Sequence, residues 1–591
     1  MSAQHYIKVI LPLRLEWEPC YITDAGLRAG DRVAVIFAGR RVVGVVSDPD
    51  ATPDIDISRI RPILSVETGL DSISKKEIEF WRFIAEYYLC TVGEVYKAAY
   101  PGLKTASEET KIRVSRRKAM LEDRTIDIWR QRIARLKERL DAKDAALAKK
   151  HGTAVRERVE EQRRAIASEL QEAQNRLASF STSLAIADGD YSSLLKNIPQ
   201  AKLPDAFRQV LSGGKPLLFK SAAREEMYLR ACTEQLCQNR NVLILLNEIE
   251  LAGRLRDSLE GSFGELLLVH HSHMTRGAQR RIMDCIRSGR PYVLIGTRSA
   301  IFLPHRELGL IIVENEESPF YKQSDTAPRY NARDCAVQLA RIHNCSIILG
   351  SHSPSLESVL NARSGRYSMF DRNPDGRELH PGCKYTLVDI RAERRKNGMQ
   401  GPVSRILLAA MHKSSRTAII RGYEKPEELE GLQADIFTIP QAAKTDLAAY
   451  DLVAMLNADA LFDAGDFRSD EHAFQYLERL RSICHYVIIQ SAQAAHQVYR
   501  MTSSESLLEE RREFGLPPYS RLVDLRLRNG MLALCGALLK AGFQAMEMPE
   551  CIRVVLTRDM TLTDNKKKLR KIVETFRRDS KSDVIIDVDP L

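Results

Sequence analysis

A chain of 591 residues exceeds what one hydrophobic core usually holds, about 250 to 300 residues, so several domains are expected. Hydrophobic residues make up 44% and charged residues 28%, the balance of a globular protein, which excludes wholesale disorder. The net charge of +10 and pI near 9.0 arise within folded-looking sequence and favour a polyanionic partner, nucleic acid first.

The amino-terminal run "MSAQHYIKVILPLRLEW" is too short and too polar at its flanks for a signal peptide, and no segment reaches the roughly 20 apolar residues of a membrane span. A cytoplasmic protein without a membrane partner is expected. The eleven cysteines stand singly with no CxxC pair, so no metal-ligand set is predicted and the thiols read as free and buried. Up to about residue 100, short apolar runs alternate with turn signals; Arg32 to Val46, broken by "AGRR", predicts a β-hairpin, and a helix is expected over Lys75 to Tyr88.

From about Arg124 the composition shifts to Arg, Lys, Glu, Ala and Gln. Trp129, Ile133, Leu136 and Leu140 recur at helical spacing, as do Val155, Val159, Ile166, Leu170, Ala173 and Leu177. Gly152, within "HGT", predicts a turn and so an antiparallel helical hairpin with a solvated basic face. From about Pro216, "PLLF", "NVLILL", "ELLLVHH", "YVLIGT", "LGLIIVE" and "CSIILG" alternate with helical stretches, followed by "RTAIIRG", "LVAML" and "YVIIQ". The pattern predicts an α/β multidomain protein with two doubly wound parallel sheets in tandem, the architecture of a helicase motor with a nucleotide between its lobes. Such a fold does not by itself establish activity. In "LGLIIVENEESPFYKQ" the carboxyl edge of a strand carries Glu314, Asn315, Glu316 and Glu317, where a motor enzyme holds Mg²⁺ and orients water, with an amide interrupting the acids.

"VLIGTRSAIF", "LGLIIVENEESPFYKQ", "PRYNARDCAVQLA", "GSHSPSLES" and "FGLPPYSRL" occur in an order that resembles the PriA family of bacterial replication-restart helicases (primosomal protein N′). "LRAGDRVAVIFAGRRVVGVV" and "AEYYLCTVGEVYKAAYPGLK" are similar to that family's amino-terminal domain, which binds the 3′ end of a nascent strand at a stalled fork. The resemblance implies a 3′-end DNA-binding domain over 1–104, a linker and helical hairpin over 105–198 where the family usually has a winged helix, RecA-like lobes of helicase superfamily 2 type over 199–375 and 376–500, and a PriA-like carboxyl-terminal domain over 501–591.

Against the family pattern the catalytic motifs depart. The phosphate loop ending in Gly-Lys-Thr corresponds to "LLFKSAAREEMYL", which is shorter and glycine-free, with Arg224, Glu225 and Glu226 near the Gly-Lys-Thr positions, so that two carboxylates would repel phosphate. In the family's Asp-Glu-Glu-His the metal-binding and water-polarising positions fall on Glu314 and Asn315, and an amide cannot accept a proton. The second lobe's Gln followed by Gly-Arg-Ala-Gly-Arg, whose arginines reach the γ-phosphate, has its matching positions at Glu478, Ser482 and His485, so the arginine fingers are absent, and the cysteine-rich zinc insertion is missing. Losing one charge-stabilising group typically costs about 10²- to 10³-fold in rate, so no functional catalytic residue, no cofactor and no zinc are expected, and the acidic cluster reads as a solvated strand end.

The residues implied for DNA fare better. "SPFYKQ" and "APRYNARD" resemble the family's aromatic-rich loop, with Phe320, Tyr321 and Tyr330 for base stacking and Lys322, Arg329 and Arg333 for the backbone. The 3′-end pocket's glycine falls on Gly39 and its basic position on Arg61, with Arg40 adjacent. Its aromatic and acidic positions fall on Pro19 and Cys20, leaving Tyr21 or Trp17 as substitutes. The resemblance thus implies a binder of forked or single-stranded DNA that helps reload the replisome with its ATPase lost, and implies as partners primosome or replicative helicase-loading proteins and single-stranded DNA-binding protein. The rival readings are an active ATP-dependent 3′–5′ helicase using ATP and Mg²⁺, and a protein-interaction scaffold that does not bind DNA.

Overall fold

The computed structural model describes residues 5–101 except 54, 202–372 except 222, 248–252, 272 and 273, and 383–590 except 464, together with 131–143, 145, 159, 163, 166, 169, 170, 195 and 198. Residues 102–197 form one compact unit and the rest another.

In the larger unit, β1 (His5–Ile10), β2 (Cys20–Thr23), β3 (Arg32–Phe37), β4 (Arg40–Asp48), β5 (Arg61–Pro62) and β6 (Ser65–Val66) pair in the order β5-β2-β1-β4-β3-β6. Between β5 and β6 the chain bridges the two outer strands, Ile63 N donating to the Ile22 carbonyl (3.1 Å) and Leu64 N to that of Ala34 (2.8 Å), which closes the sheet into a small barrel. Ile7, Val9, Tyr21, Val33, Val35 and Val46 fill it. The expected hairpin is β3–β4, turned at Ala38 and Gly39 with φ of 48° and 76°, the left-handed pair that two-residue hairpins favour. Two helices follow, α1 (Lys75–Tyr87) and α2 (Val92–Ala99), each opened by a capping box, Ser74 with Glu77 and Thr91 with Glu94.

The first lobe holds β7 (Leu217–Lys220), β8 (Asn241–Leu245), β9 (Leu267–His270), β10 (Val293–Gly296), β11 (Leu308–Glu314), β12 (Ser346–Ser351) and β13 (Ser368–Asp371), all parallel, in the order β13-β7-β12-β11-β8-β10-β9. Six of these are the apolar runs read from the sequence. Edge strand β13, with its "SMFD" sequence and no fully buried residue, carries no such run. The helices that matter for the site are α3 (Glu225–Cys237), α4 (Ala332–His343) and α5 (Leu356–Arg363).

The second lobe has a parallel sheet, β14-β20-β19-β17-β18, formed by β14 (Lys384–Asp389), β17 (Thr417–Arg421), β18 (Asp435–Thr438), β19 (Leu452–Met455) and β20 (Tyr486–Ser491). Between β14 and β17 lie α6 (Ile390–Lys396), the short hairpin β15 (Met399–Gln400) and β16 (Val403–Ser404), and α7 (Arg405–Met411). The helix α8 (Ser469–Ile483) precedes β20, and α9 (Glu505–Glu513) follows it. Leu507 and Leu508 of α9 are buried in this lobe's core, so the lobe runs past residue 500, where the sequence places its end. Leu356 of α5 lies in the same core, so the two lobes share apolar packing.

The carboxyl-terminal part is an antiparallel sheet, β22-β23-β21-β24, of β21 (Ser520–Leu527), β22 (Gln544–Glu547), β23 (Ile552–Thr557) and β24 (Val584–Val588), with α10 (Met531–Lys540) and α11 (Leu562–Ser580). In the smaller unit, residues 131–143 are helical, and Leu136 and Ile166 are buried with Ile133, Leu140 and Leu170 against them, the seam read from the sequence. Trp129, Val155, Ala173, Leu177 and the turn expected at His151–Thr153 lie outside the described residues. Among the described residues no helix is long and apolar enough to cross a membrane.

Candidate nucleotide and nucleic-acid site

Strand β7 reaches α3 through only four residues, 221–224, the last of them Arg224. Arg224 is 7% exposed. Its Nε donates to Glu314 Oε2 (3.0 Å), its Nη2 to Glu314 Oε1 and to Asn315 Oδ1 (2.9 Å), and its Nη1 to the Ser221 carbonyl. Tyr228, one turn into α3, donates to the same Glu314 Oε2 (2.6 Å). Gly350 makes room for it: a Cβ there would sit 1.7 Å from the Tyr228 hydroxyl. Burial opposes the Arg224 charge, but Glu314 more than offsets this and the guanidinium stays well above its ordinary pKa. Glu225 and Glu226 do not face this pair: Glu225 accepts from Ser258 Oγ (3.2 Å) and Glu226 pairs with Arg230.

These residues do not fit Mg²⁺-ATP. A four-residue loop without glycine cannot present a cradle of N–H groups, α3 opens on two carboxylates where an anion would need none, and the Glu314 carboxylate is already matched by a bidentate cation.

The rest of the acidic cluster is not a solvated strand end. Glu316 is 1% exposed and accepts from Ser355 N (2.7 Å), Ser355 Oγ (2.9 Å), Ser358 Oγ (2.9 Å) and Arg333 Nη1 (3.1 Å). It thereby ties β11 to the start of α5, and it explains "GSHSPSLES": Ser355 caps α5 while serving Glu316. Glu317 lines a polar cavity of about 270 Å³; burial, then the Glu316 charge, raise its pKa to about 7.

Charge pairs cross between the lobes beside it. Glu471 of α8 accepts from Leu356 N (3.0 Å), Arg468 Nη2 donates to Glu357 Oε1 (3.0 Å), and Arg363 makes a double contact with Glu505 (2.8 and 3.0 Å). Arg511 lies 3.5 Å from Glu471 and 4.4 Å above the Phe467 ring. None of these bridging residues stands out in the sequence; only Ser355, a serine just before a helical run, carries a readable capping signal. Within the segment matched to the Gln and Gly-Arg-Ala-Gly-Arg motif, Glu478 accepts from Arg481 (2.8 Å), and Arg481 itself turns inward to the carbonyls of Tyr499 (2.8 Å) and Met501 (3.1 Å).

The aromatic-rich loop is mostly inside the protein, which corrects four of its six assignments. Tyr321 is 0% exposed, its single hydroxyl proton shared between the carbonyls of Leu245 (3.0 Å) and Glu314. Tyr330 is buried against Phe302 and donates to the Arg298 carbonyl (3.2 Å). Lys322 is buried on Asp587 (2.8 Å) and the Val588 carbonyl (2.6 Å), joining the first lobe to β24. Arg333 is taken by Glu316 (3.1 Å) and Asp334 (2.8 Å). Burial follows from apolar neighbours and internal carboxylates that the local sequence does not show. Phe320, 53% exposed, remains on the surface, and Arg329 is half-buried and bound to the carbonyls of Ser324 (2.9 Å) and Asp325 (3.0 Å).

The barrel presents the opposite picture. Gly39 sits in the exposed β3–β4 turn, where an added Cβ would meet nothing within 4 Å. Arg40 begins β4 and Arg61 begins β5; both are exposed, and neither is in an ion pair among the described residues. Of the substitute rings, Tyr21 is buried, its hydroxyl donating to the Ile36 carbonyl (3.3 Å), while Trp17 is 61% exposed.

Residues 8–101, which contain this barrel with α1 and α2, match the family model of the PriA 3′DNA-binding domain (3′BD). The replication restart protein PriA of Chlamydia pneumoniae is 36% identical over 176 residues, 30% of this chain and 23% of that protein. Over these stretches the chain is similar to PriA. PriA of Haemophilus influenzae is 28% identical over 429 residues, 67% of this chain and 55% of that protein, so the match to these two PriA proteins spans between a quarter and about half of their length. Among solved structures, RecG bound to a three-way DNA junction is similar at 14% identity and a TM-score of 0.31, covering 56% of this chain and 46% of its own. The likeness to PriA thus includes Gly39, Arg40 and Arg61 of the barrel, whose two arginines are in no ion pair among the described residues.

Proposed function

We propose that this PriA relative binds forked or single-stranded DNA at stalled replication forks and acts as a platform for reloading the replisome, without hydrolysing ATP. The observation that carries the loss of hydrolysis is the bidentate Arg224–Glu314 pair: the cation stands where phosphate would go, and the acid it consumes is the one at the metal-binding position. Support for DNA binding comes from the match to the 3′DNA-binding domain and the exposed Arg40 and Arg61 beside the open Gly39 turn. Primosome or replicative helicase-loading proteins and single-stranded DNA-binding protein are the partners this role calls for.

The deciding experiment measures ATP hydrolysis with and without forked DNA, and fork binding by anisotropy in the same samples. Fork binding without DNA-stimulated hydrolysis is the expected result. Hydrolysis that rises with fork DNA overturns the inactive motor, and no fork binding even at low salt overturns the DNA role in favour of a protein scaffold.

A further inference from the structure

Lys384 to Arg416 carry eight lysines and arginines against two acids, an excess of six in a chain whose net charge is +10. Much of this excess converges on one place. Helix α6 presents Arg391, Arg394, Arg395 and Lys396 to solvent, whereas its one acid past the cap, Glu393, is 6% exposed and held by Asn397 Nδ2 (2.9 Å). Gly398, at φ 73°, turns the chain into the β15–β16 hairpin, which brings Arg405 back: a Cβ on Gly398 would lie 3.9 Å from Arg405 Nη2. None of the five cations is in an ion pair among the described residues.

Cations in a last helical turn also stabilise the helix through its dipole, but one or two suffice for that. Five unpaired cations on one surface, with the local acid turned inward, repel one another unless an anion covers them. Residues 391–406 contain no aromatic ring on which a base could stack, so the patch suits phosphates without bases.

We infer that α6 with Arg405 is a second DNA contact that holds the phosphate backbone of a duplex arm of the fork; it rests on the proposed DNA binding and adds a surface on the second lobe, separate from the barrel. The seven-residue helix spans about 10 Å, room for two or three phosphates.

The test is a salt titration of fork and duplex binding by the full chain, comparing wild type, R391Q/R394Q/R395Q and R391K/R394K/R395K. The Gln variant is expected to lose about tenfold or more in affinity, with the slope of log K against log salt shallower by about 2 to 3, while the Lys variant keeps the slope. Melting of the Gln variant is expected unchanged, since these side chains are exposed. Unaltered affinity and slope in the Gln variant, with wild type still binding forks, overturn this inference and leave the DNA role intact. No fork binding by wild type overturns both. Loss of binding to phosphatidylserine vesicles in the Gln variant, with fork affinity unchanged, overturns it in favour of an anionic lipid surface.

Discussion

Two arginine sites in this molecule illustrate opposite uses of the same group. Arg224 is enclosed in the first lobe and matched by Glu314 on two edges, whereas Arg61 stands exposed at the barrel with no carboxylate partner among the described residues. A buried guanidinium costs several kcal/mol unless it is paired, so a loop that encloses one must supply an internal anion. Once Glu314 does so, each group has its charge matched inside the fold. The exposed cation carries no such requirement, and its pairing capacity remains for a phosphate. The interlobe pairs extend the contrast: Arg468–Glu357 and the cap of Glu471 on α5 join the two lobes through charges matched within the protein.

The largest effect is expected from breaking the enclosed pair. Glu314→Ala leaves Arg224 buried without its anion and should cost about 3 to 5 kcal/mol, read by denaturant unfolding or by hydrogen exchange across β11 and α3. Replacing both partners, as R224M/E314L, should recover most of that loss, because apolar groups of similar volume often equal or exceed a buried ion pair. A Glu314→Ala variant as stable as wild type would break the comparison, since the pair would then be a surface contact. Next in size is the exposed site. R40Q/R61Q should weaken fork binding by about tenfold and flatten the salt slope by about 1 to 2, with stability changed by no more than about 0.5 kcal/mol. Equal fork affinity in that variant would move the DNA contact away from the barrel end.

The strands of both lobes were legible because parallel strands buried on two faces read as continuous apolar runs, as in β8, β10 and β11. Edge strands β13, β14 and β18 were not, because half-buried edges carry weak patterns. For the site, the missing glycines and the Asn315 substitution were visible residue by residue. The destination of each charge was not. Lys322 meets Asp587 and Glu316 meets Ser355, partners 265 and 39 positions away, and pairing over such separations leaves no local signal. A basic or aromatic residue in a motif therefore reads the same from sequence whether it faces a strand of DNA, as proposed for Arg61, or an internal carboxylate, as Arg333 does.

The smallest expected effect concerns Glu317, the one acid of the cluster in no ion pair among the described residues. Its Oε2 meets no hydrogen-bond geometry among the described residues, and burial with the neighbouring Glu316 charge raises its pKa from 4.5 to about 7. The folded chain then holds a proton on Glu317 that the unfolded chain has released, so stability falls as pH rises from about 4.5 to about 7 and stays reduced above. Glu317→Gln removes that titration. The variant should be more stable than wild type at pH 8 by about 1 kcal/mol and nearly equal at pH 4 to 5, less than the full linkage value because the residue lines a cavity where water screens its charge. Denaturant unfolding at the two pH values measures the difference. Parallel pH profiles for the two proteins would mean that Glu317 is ionised in the fold and has found a cation, which would extend the internal neutralisation seen at Glu314 to the whole cluster.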